Sequence, residues 1–262
     1  MRKLSAAPCI ATMALVAFAI PAAKPALAAD LPARQYVKSP AMVPPVPSYD
    51  WSGFYVGGNI GGSWGHATAT DAALDGTFVS SGSRDNSAVI GGGQIGYNFM
   101  VAPHFLLGLE ADAQASSSRS TVTSPDGSNS FASRLDDFGT VRGRIGFTED
   151  NWLFYGTGGF AWSQGSVTRT QIAAVASVPP IPAPAGTVET ANNTRTGWAA
   201  GAGVEYGITP NWTVRAEYLY LDLGTVTSVF PLANRQQTGS ANMSIARIGV
   251  NYKFGGPVVA RY

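Results

Sequence analysis

Period-two alternation in eight segments, connections that are in turn short and long, and charge confined to one register of the alternation predict an all-β chain. The fold class these features define is an eight-stranded antiparallel up-and-down transmembrane β-barrel, with short periplasmic turns and long extracellular loops. A chain of 262 residues accommodates one such unit behind a leader. Glycine is abundant (31 residues), 13% of the residues are charged and 11% are aromatic, and the mean hydropathy is +0.06. Soluble domains carry more charge, and disordered chains are poorer in aromatics.

The leader comes first. Residues 1–28 have Arg2 and Lys3, an apolar core over residues 10–20, and Ala26-Leu27-Ala28 as a small-x-small cleavage site, the three-part layout of a signal peptide. The alternative, an uncleaved anchor, conflicts with a core too short to span a bilayer. Cys9 precedes that core, whereas a lipid-acceptor cysteine follows it. It is the sole cysteine, so the mature chain is expected to hold neither a disulfide nor a thiolate metal site. Losing Arg2, Lys3 and Lys24 from the 17 basic residues leaves 14 against 16 acidic ones, a net of about −2, and no basic excess points to nucleic acid. After the leader no run of about 20 apolar residues occurs, so a helical membrane span is not expected.

Residues 29–50 contain Pro32, Pro40, Pro44, Pro45 and Pro47 and read as an extended periplasmic spacer, with a PxxP ligand as the alternative. The barrel is expected over residues 51–262. In SGFYVGGNIGGSW, Phe54, Val56, Ile60 and Trp64 lie opposite Tyr55, Gly57, Asn59 and Ser63. In HFLLGLEADAQAS, Phe105, Leu107, Leu109, Ala111 and Ala113 lie opposite Gly108, Glu110, Asp112 and Gln114. GTVRGRIGF sets Val141, Ile145 and Phe147 against Thr140, Arg142 and Arg144. TGWAAGAGVEYGI and RIGVNYKF alternate in the same way, placing Glu205, Arg247 and Lys253 opposite the large apolar residues. Stretches near 88–100, 152–164 and 212–222 complete eight strands of about ten residues, enough for a tilted strand to cross a bilayer.

Connections near 101–104, 148–151 and 209–211 are tight, with Pro103, Asn151, Pro210 and Asn211 as turn formers. Those near 66–86, 117–133, 165–193 and 223–241 are long and rich in Ser, Thr, Asp and Gly, and are expected to be loops. The endings IGYNF, RIGF, VEYGI and VNYKF recur about every 50 residues, as for one hairpin used four times.

Two features orient the faces. Trp51, Trp152 and Trp212 fall at the short-turn rim, and Trp64, Trp162 and Trp198 at the long-loop rim. Tyr97, Phe99, Phe105, Phe147, Tyr206, Tyr252 and Phe254 thicken the first set. Indole and phenol rings favour the membrane interface, so these are expected to form two girdles. Within the strands, Glu110, Asp112, Arg142, Arg144, Glu205, Arg215, Glu217, Arg247 and Lys253 share the small, polar register. Four acids and five bases on one face can pair. An arginine on the lipid face at mid-depth costs about 2–4 kcal/mol, so this register is expected to face the lumen as an ion network.

WSGFYVGGNIGGSWG after a proline-rich leader, GTVRGRIGF, GWAAGAGVEYGI, NWTVRAEYLYLDLG and RIGVNYKFGGPVVARY resemble the small immunogenic and major outer-membrane β-barrel proteins of alphaproteobacteria, in the OmpA-like superfamily. The resemblance covers residues 51–262. It implies a cleaved signal, localisation in the Gram-negative outer membrane, contact with lipid and lipopolysaccharide, and exposed antigenic loops. Insertion would use periplasmic chaperones and the outer-membrane assembly machinery. Ile248, Val250, Tyr252 and Phe254 match the assembly signal of such proteins, whose terminal residue would be Phe254 or Tyr262. No peptidoglycan-binding domain is expected after the barrel.

Other motifs are weaker. GGGQIG at residues 91–96 matches a dinucleotide-binding string but runs on into a strand rather than a helix. His66 and His104 are expected at opposite rims, which does not suit a metal site or a hydrolase. Glu110 and Asp112 resemble an acid–base pair, but arginines share their face, and ion pairing is the preferred reading. No catalytic residue, cofactor or metal is expected. The expected function is structural: envelope integrity, with surface contact through the loops. The alternatives are a small-solute porin and an adhesin or receptor using loop 165–193. A monomer is the favoured oligomeric state.

Overall fold

In the computed structural model, which describes residues 49–124, 127–172 and 184–255, the alternating segments are all β-strands. They are β1 (Gly53–Ala73), β2 (Phe78–Ala102), β3 (Phe105–Ser116), β4 (Arg119–Thr123), β5 (Asn129–Glu149), β6 (Trp152–Gln171), β7 (Val188–Thr209), β8 (Trp212–Phe230) and β9 (Arg235–Lys253). Every pairing is antiparallel. β9 returns to β1, and β3 pairs with β5 as well as β2, so the sheet closes on itself. β3 and β4 pair with successive stretches of β5 and act as one strand interrupted at residues 117–118. The ring therefore has eight strands. Closure matters in lipid, where an unpaired strand edge would leave its N–H and C=O groups without partners.

The short connections are two-residue turns at Pro103 and His104, Asp150 and Asn151, and Pro210 and Asn211. Asp150 takes the left-handed conformation (φ 50) that a tight reversal requires and that Asp tolerates. All three turns, with the start of β1 and the end of β9, lie at one rim.

The other rim differs from the sequence expectation. The seven uninterrupted strands run for 19–25 residues, not about ten. Among the described residues, most of the stretches 66–86, 117–133, 165–193 and 223–241 are strand rather than loop. β1 and β2 meet at a turn over residues 74–77, and β8 and β9 at a single 3-10 turn, Pro231–Ala233. Above the upper tryptophans the outer face meets water, so alternation persists without hydrophobic contrast. Threonine suits such a pleated polar surface. Hydroxyls face each other across strands at Thr68 and Ser240 (2.8 Å), Thr168 and Thr190 (3.0 Å), and Thr227 and Thr238 (2.8 Å).

The signal peptide, the linker up to residue 48, most of AVASVPPIPAPAG and Tyr262 lie outside the described residues. Within the barrel the polarity is inverted. Ile60, Leu109, Ile145 and Ile248 are 58–67% exposed on the outer face, while the charged register is buried.

Candidate functional site: the barrel interior

Traced upward from the short-turn rim, the inward side chains form layers. The lowest is apolar and aromatic: Trp51, Leu106, Leu153 and Tyr155, with Tyr49 and Met100 against them. The ionic register follows. Above it lies an apolar ceiling that includes Ile90, Phe138, Leu219, Leu221, Met243 and Ile245. Inward glycines make room for the tyrosines of the lower interior. A Cβ at Gly96 would collide with the Tyr55 ring, and one at Gly203 with the Tyr155 ring.

The ionic layer brings together eight of the nine predicted lumen charges, all buried. Glu110 receives Arg142 Nη2 on Oε1 (2.6 Å), and Arg215 Nη1 on Oε2 (2.5 Å). Asp112 receives Arg142 Nη2 (3.0 Å) and Arg247 Nη1 (3.2 Å). Glu217 receives Arg142 Nη1 (3.1 Å) and Arg247 through Nε (2.7 Å) and Nη2 (2.6 Å). Glu205 receives Arg144 Nη2 (2.9 Å). A buried charge is tolerated only when paired and hydrogen-bonded. Each carboxylate and guanidinium here makes at least one charge-assisted bond, while Arg144 Nε and Arg215 Nε and Nη2 have no hydrogen-bond partner among the described residues.

Neutral groups complete it, and the charge pattern alone did not single them out. Tyr55 donates to Glu110 (2.7 Å) and accepts from Arg144 (2.6 Å). Tyr155 donates to Glu217 (3.2 Å), and its ring lies 3.9 Å from the Arg144 guanidinium carbon. Thr140 donates to Asp112 and Thr213 to Glu205, each at 2.5 Å, and Asn251 donates to Glu205 at 2.7 Å. All five share the inward register, which is the sequence signal that marks them.

Two predicted residues stand elsewhere. Lys253 is buried, but its ammonium sits below the network. It donates to the backbone carbonyl of Asp50, lies 3.7 Å from the Asp50 carboxylate and stands 5.0 Å from the Tyr49 ring centre. Trp51, expected in the lower girdle, is 2% exposed and turned inward, its ring centre 4.6 Å from that of Tyr49. The reason is parity: Trp51 falls in the register of Tyr55, not of Phe54. Residues 49–52 thus fold under the barrel, and Trp51 covers its lower mouth.

The other girdle tryptophans point outward. Trp64, Trp152, Trp198 and Trp212 are about half exposed, and Trp162 lies partly covered over Gly139. Trp152 meets Tyr206 at 4.7 Å between centroids, and Trp212 meets Tyr252 at 5.1 Å. Ile248 and Val250 on the last strand and Phe254 just beyond it face outward, with Tyr252 half-buried beside them. GGGQIG lies within β2. His66 lies in β1 rather than a loop, with Nδ1 2.8 Å from the Asp85 carboxylate; His104 lies in a short turn at the far rim.

Apolar side chains outside, paired ions within and aromatic bands near both rims define an outer-membrane β-barrel. The chain belongs to the outer membrane protein β-barrel domain family, which it matches over residues 11–254. It is 34% identical over 238 residues to the 31 kDa outer-membrane immunogenic protein of Brucella melitensis, covering 87% of this chain and 93% of the relative. The 25 kDa outer-membrane immunogenic protein of Brucella abortus is 27% identical over 235 residues, covering 90% of this chain and 93% of the relative. The 22 kDa outer membrane protein of Rhizobium leguminosarum is 30% identical over 184 residues, 68% of this chain and 67% of that protein.

Proposed function

We propose that the protein is a structural, non-conducting barrel that contributes to envelope integrity and presents its upper hairpins to the surroundings. The observation that carries this reading is the ionic layer. An eight-stranded interior is just wide enough for side chains to fill. Here Arg142, Arg144, Arg215 and Arg247 reach across it to Glu110, Asp112, Glu205 and Glu217, with apolar layers below and above. A small-solute porin would have to displace several of these pairs at once.

The outer face is the surface for lipid and lipopolysaccharide, and Ile248, Val250, Tyr252 and Phe254 are the strand that the assembly machinery would read. At the hairpin ends Leu74, Phe78, Val229 and Leu232 are exposed, which suits contact with an external partner. The naming of two relatives as immunogenic supports surface presentation. The role is non-enzymatic in this reading, because the buried carboxylates of the lumen are each held by arginine. Planar bilayers holding the refolded mature protein should show no steady conductance. Sustained, large open channels would overturn the proposal.

A further inference from the structure

Above the apolar ceiling the interior opens again into a cavity of about 150 Å³. Its wall includes Ser63 of β1, Asn86 of β2, Ser133 of β5 and Asn193 of β7, together with Arg84 and Arg195. Among the described residues no Asp or Glu lines it. Arg134 also touches it, but its guanidinium is held by Asp136, and His66 is held by Asp85.

Arg84 and Arg195 differ from every arginine of the ionic layer. Arg84 Nη2 donates to Ser133 Oγ (2.7 Å), and Arg195 Nη1 donates to the carbonyls of Gly239 (2.8 Å) and Gly224 (3.4 Å). These acceptors are neutral, and among the described residues no carboxylate lies within ion-pair distance of either guanidinium. Both side chains are half-buried. Two partly desolvated cations sharing one chamber are unfavourable without a counter-charge. Below the ceiling the chain supplies such counter-charges; for Arg84 and Arg195 none of the described residues does.

We propose that this outer chamber binds a small oxyanion group of the phosphate or sulfate class from the external medium, held by Arg84 and Arg195 together. Guanidinium forks match such groups in bidentate geometry, and neighbouring hydroxyl and amide side chains supply further donors. The volume exceeds that of one such group, leaving space for a few waters at about 30 Å³ each. Because the walls face the lumen, a lipid headgroup anchored outside the ring does not reach them. The anion is therefore a soluble one, either a free ion or a group carried on a sugar.

Calorimetry on the refolded mature chain in neutral detergent, at low chloride, tests this with sodium sulfate, sodium phosphate and glucose 6-phosphate. Saturable binding of any of the three is expected, weakened about tenfold or more in R84Q and in R195Q, a change of about 1.4 kcal/mol. The control R119Q, on an exposed arginine of β4, should bind like the wild type. Binding of the inorganic ions identifies a free anion as the ligand, and binding of the sugar phosphate alone identifies the carried group. No saturable binding by the wild type overturns the proposal, as does equal binding by a folded R84Q/R195Q double variant.

Discussion

Glu110 shows how individual side chains hold this interior. Its carboxylate meets Arg142, Arg215 and the Tyr55 hydroxyl, all of them buried. Building a buried ion pair gains little net stability, because desolvation offsets the attraction, but removing one partner strands the other. Glu110→Ala should therefore destabilise the folded barrel by about 3–5 kcal/mol, read from urea unfolding in lipid vesicles. A loss below about 1 kcal/mol, the range of exposed pairs, would show that the network is wet and dispensable. That Glu110 faces inward was legible from its parity. Its choice of Arg215, 105 residues away, was not, because partners across a lumen are set by ring closure and register. Trp51 makes the complementary point: its parity marked it as inward, and its position near the rim suggested otherwise.

Among the strands, the contrast between membrane and upper halves has one cause. Where the outer face meets acyl chains it must be apolar, and alternation stands out; where it meets water the contrast fades. Ile248→Arg, near mid-depth on β9, should cost about 2–4 kcal/mol, and Thr68→Arg, on the outer face of β1 beyond Trp64, about 0–1 kcal/mol. Equal costs in vesicle unfolding assays would mean that lipid does not cover Ile248. Bulges hid the upper hairpins further. The register shifts between Leu135 and Asp137 in β5 and between Asp222 and Thr225 in β8, where Gly224 takes a positive φ of 61. One extra residue flips the parity. Leu219 and Leu221 face inward below the β8 bulge and Leu223 within it, whereas Ser228 and Phe230 do so above it. A single alternating frame read through such a strand loses its phase.

At the scale of the whole barrel, the described residues form a closed ring filled in layers: Trp51 and its neighbours at the lower mouth, an ionic middle, an apolar ceiling and the chamber of Arg84 and Arg195 above it. In the proposed orientation the short turns lie in the periplasm and the extended hairpins outside. Chymotrypsin applied to intact cells should cut after exposed hairpin residues such as Leu74, Phe78 or Leu232 and leave the short-turn rim untouched, as mapped by mass spectrometry of the released peptides. Cleavage at Phe105 or Trp152 would reverse the topology.

Period two, the sorting of charge to one register and the spacing of short connections were enough to establish the strands, their number and the inside-out polarity. Each is a local property of the backbone, in which successive side chains point to opposite faces. Which arginine neutralises which carboxylate, where the bulges shift phase, how Asp50 and Trp51 close the lower mouth and why Arg84 and Arg195 share a chamber all came from the closed barrel. Those relations join residues that no periodicity connects, and they exist only once the ring has fixed its register.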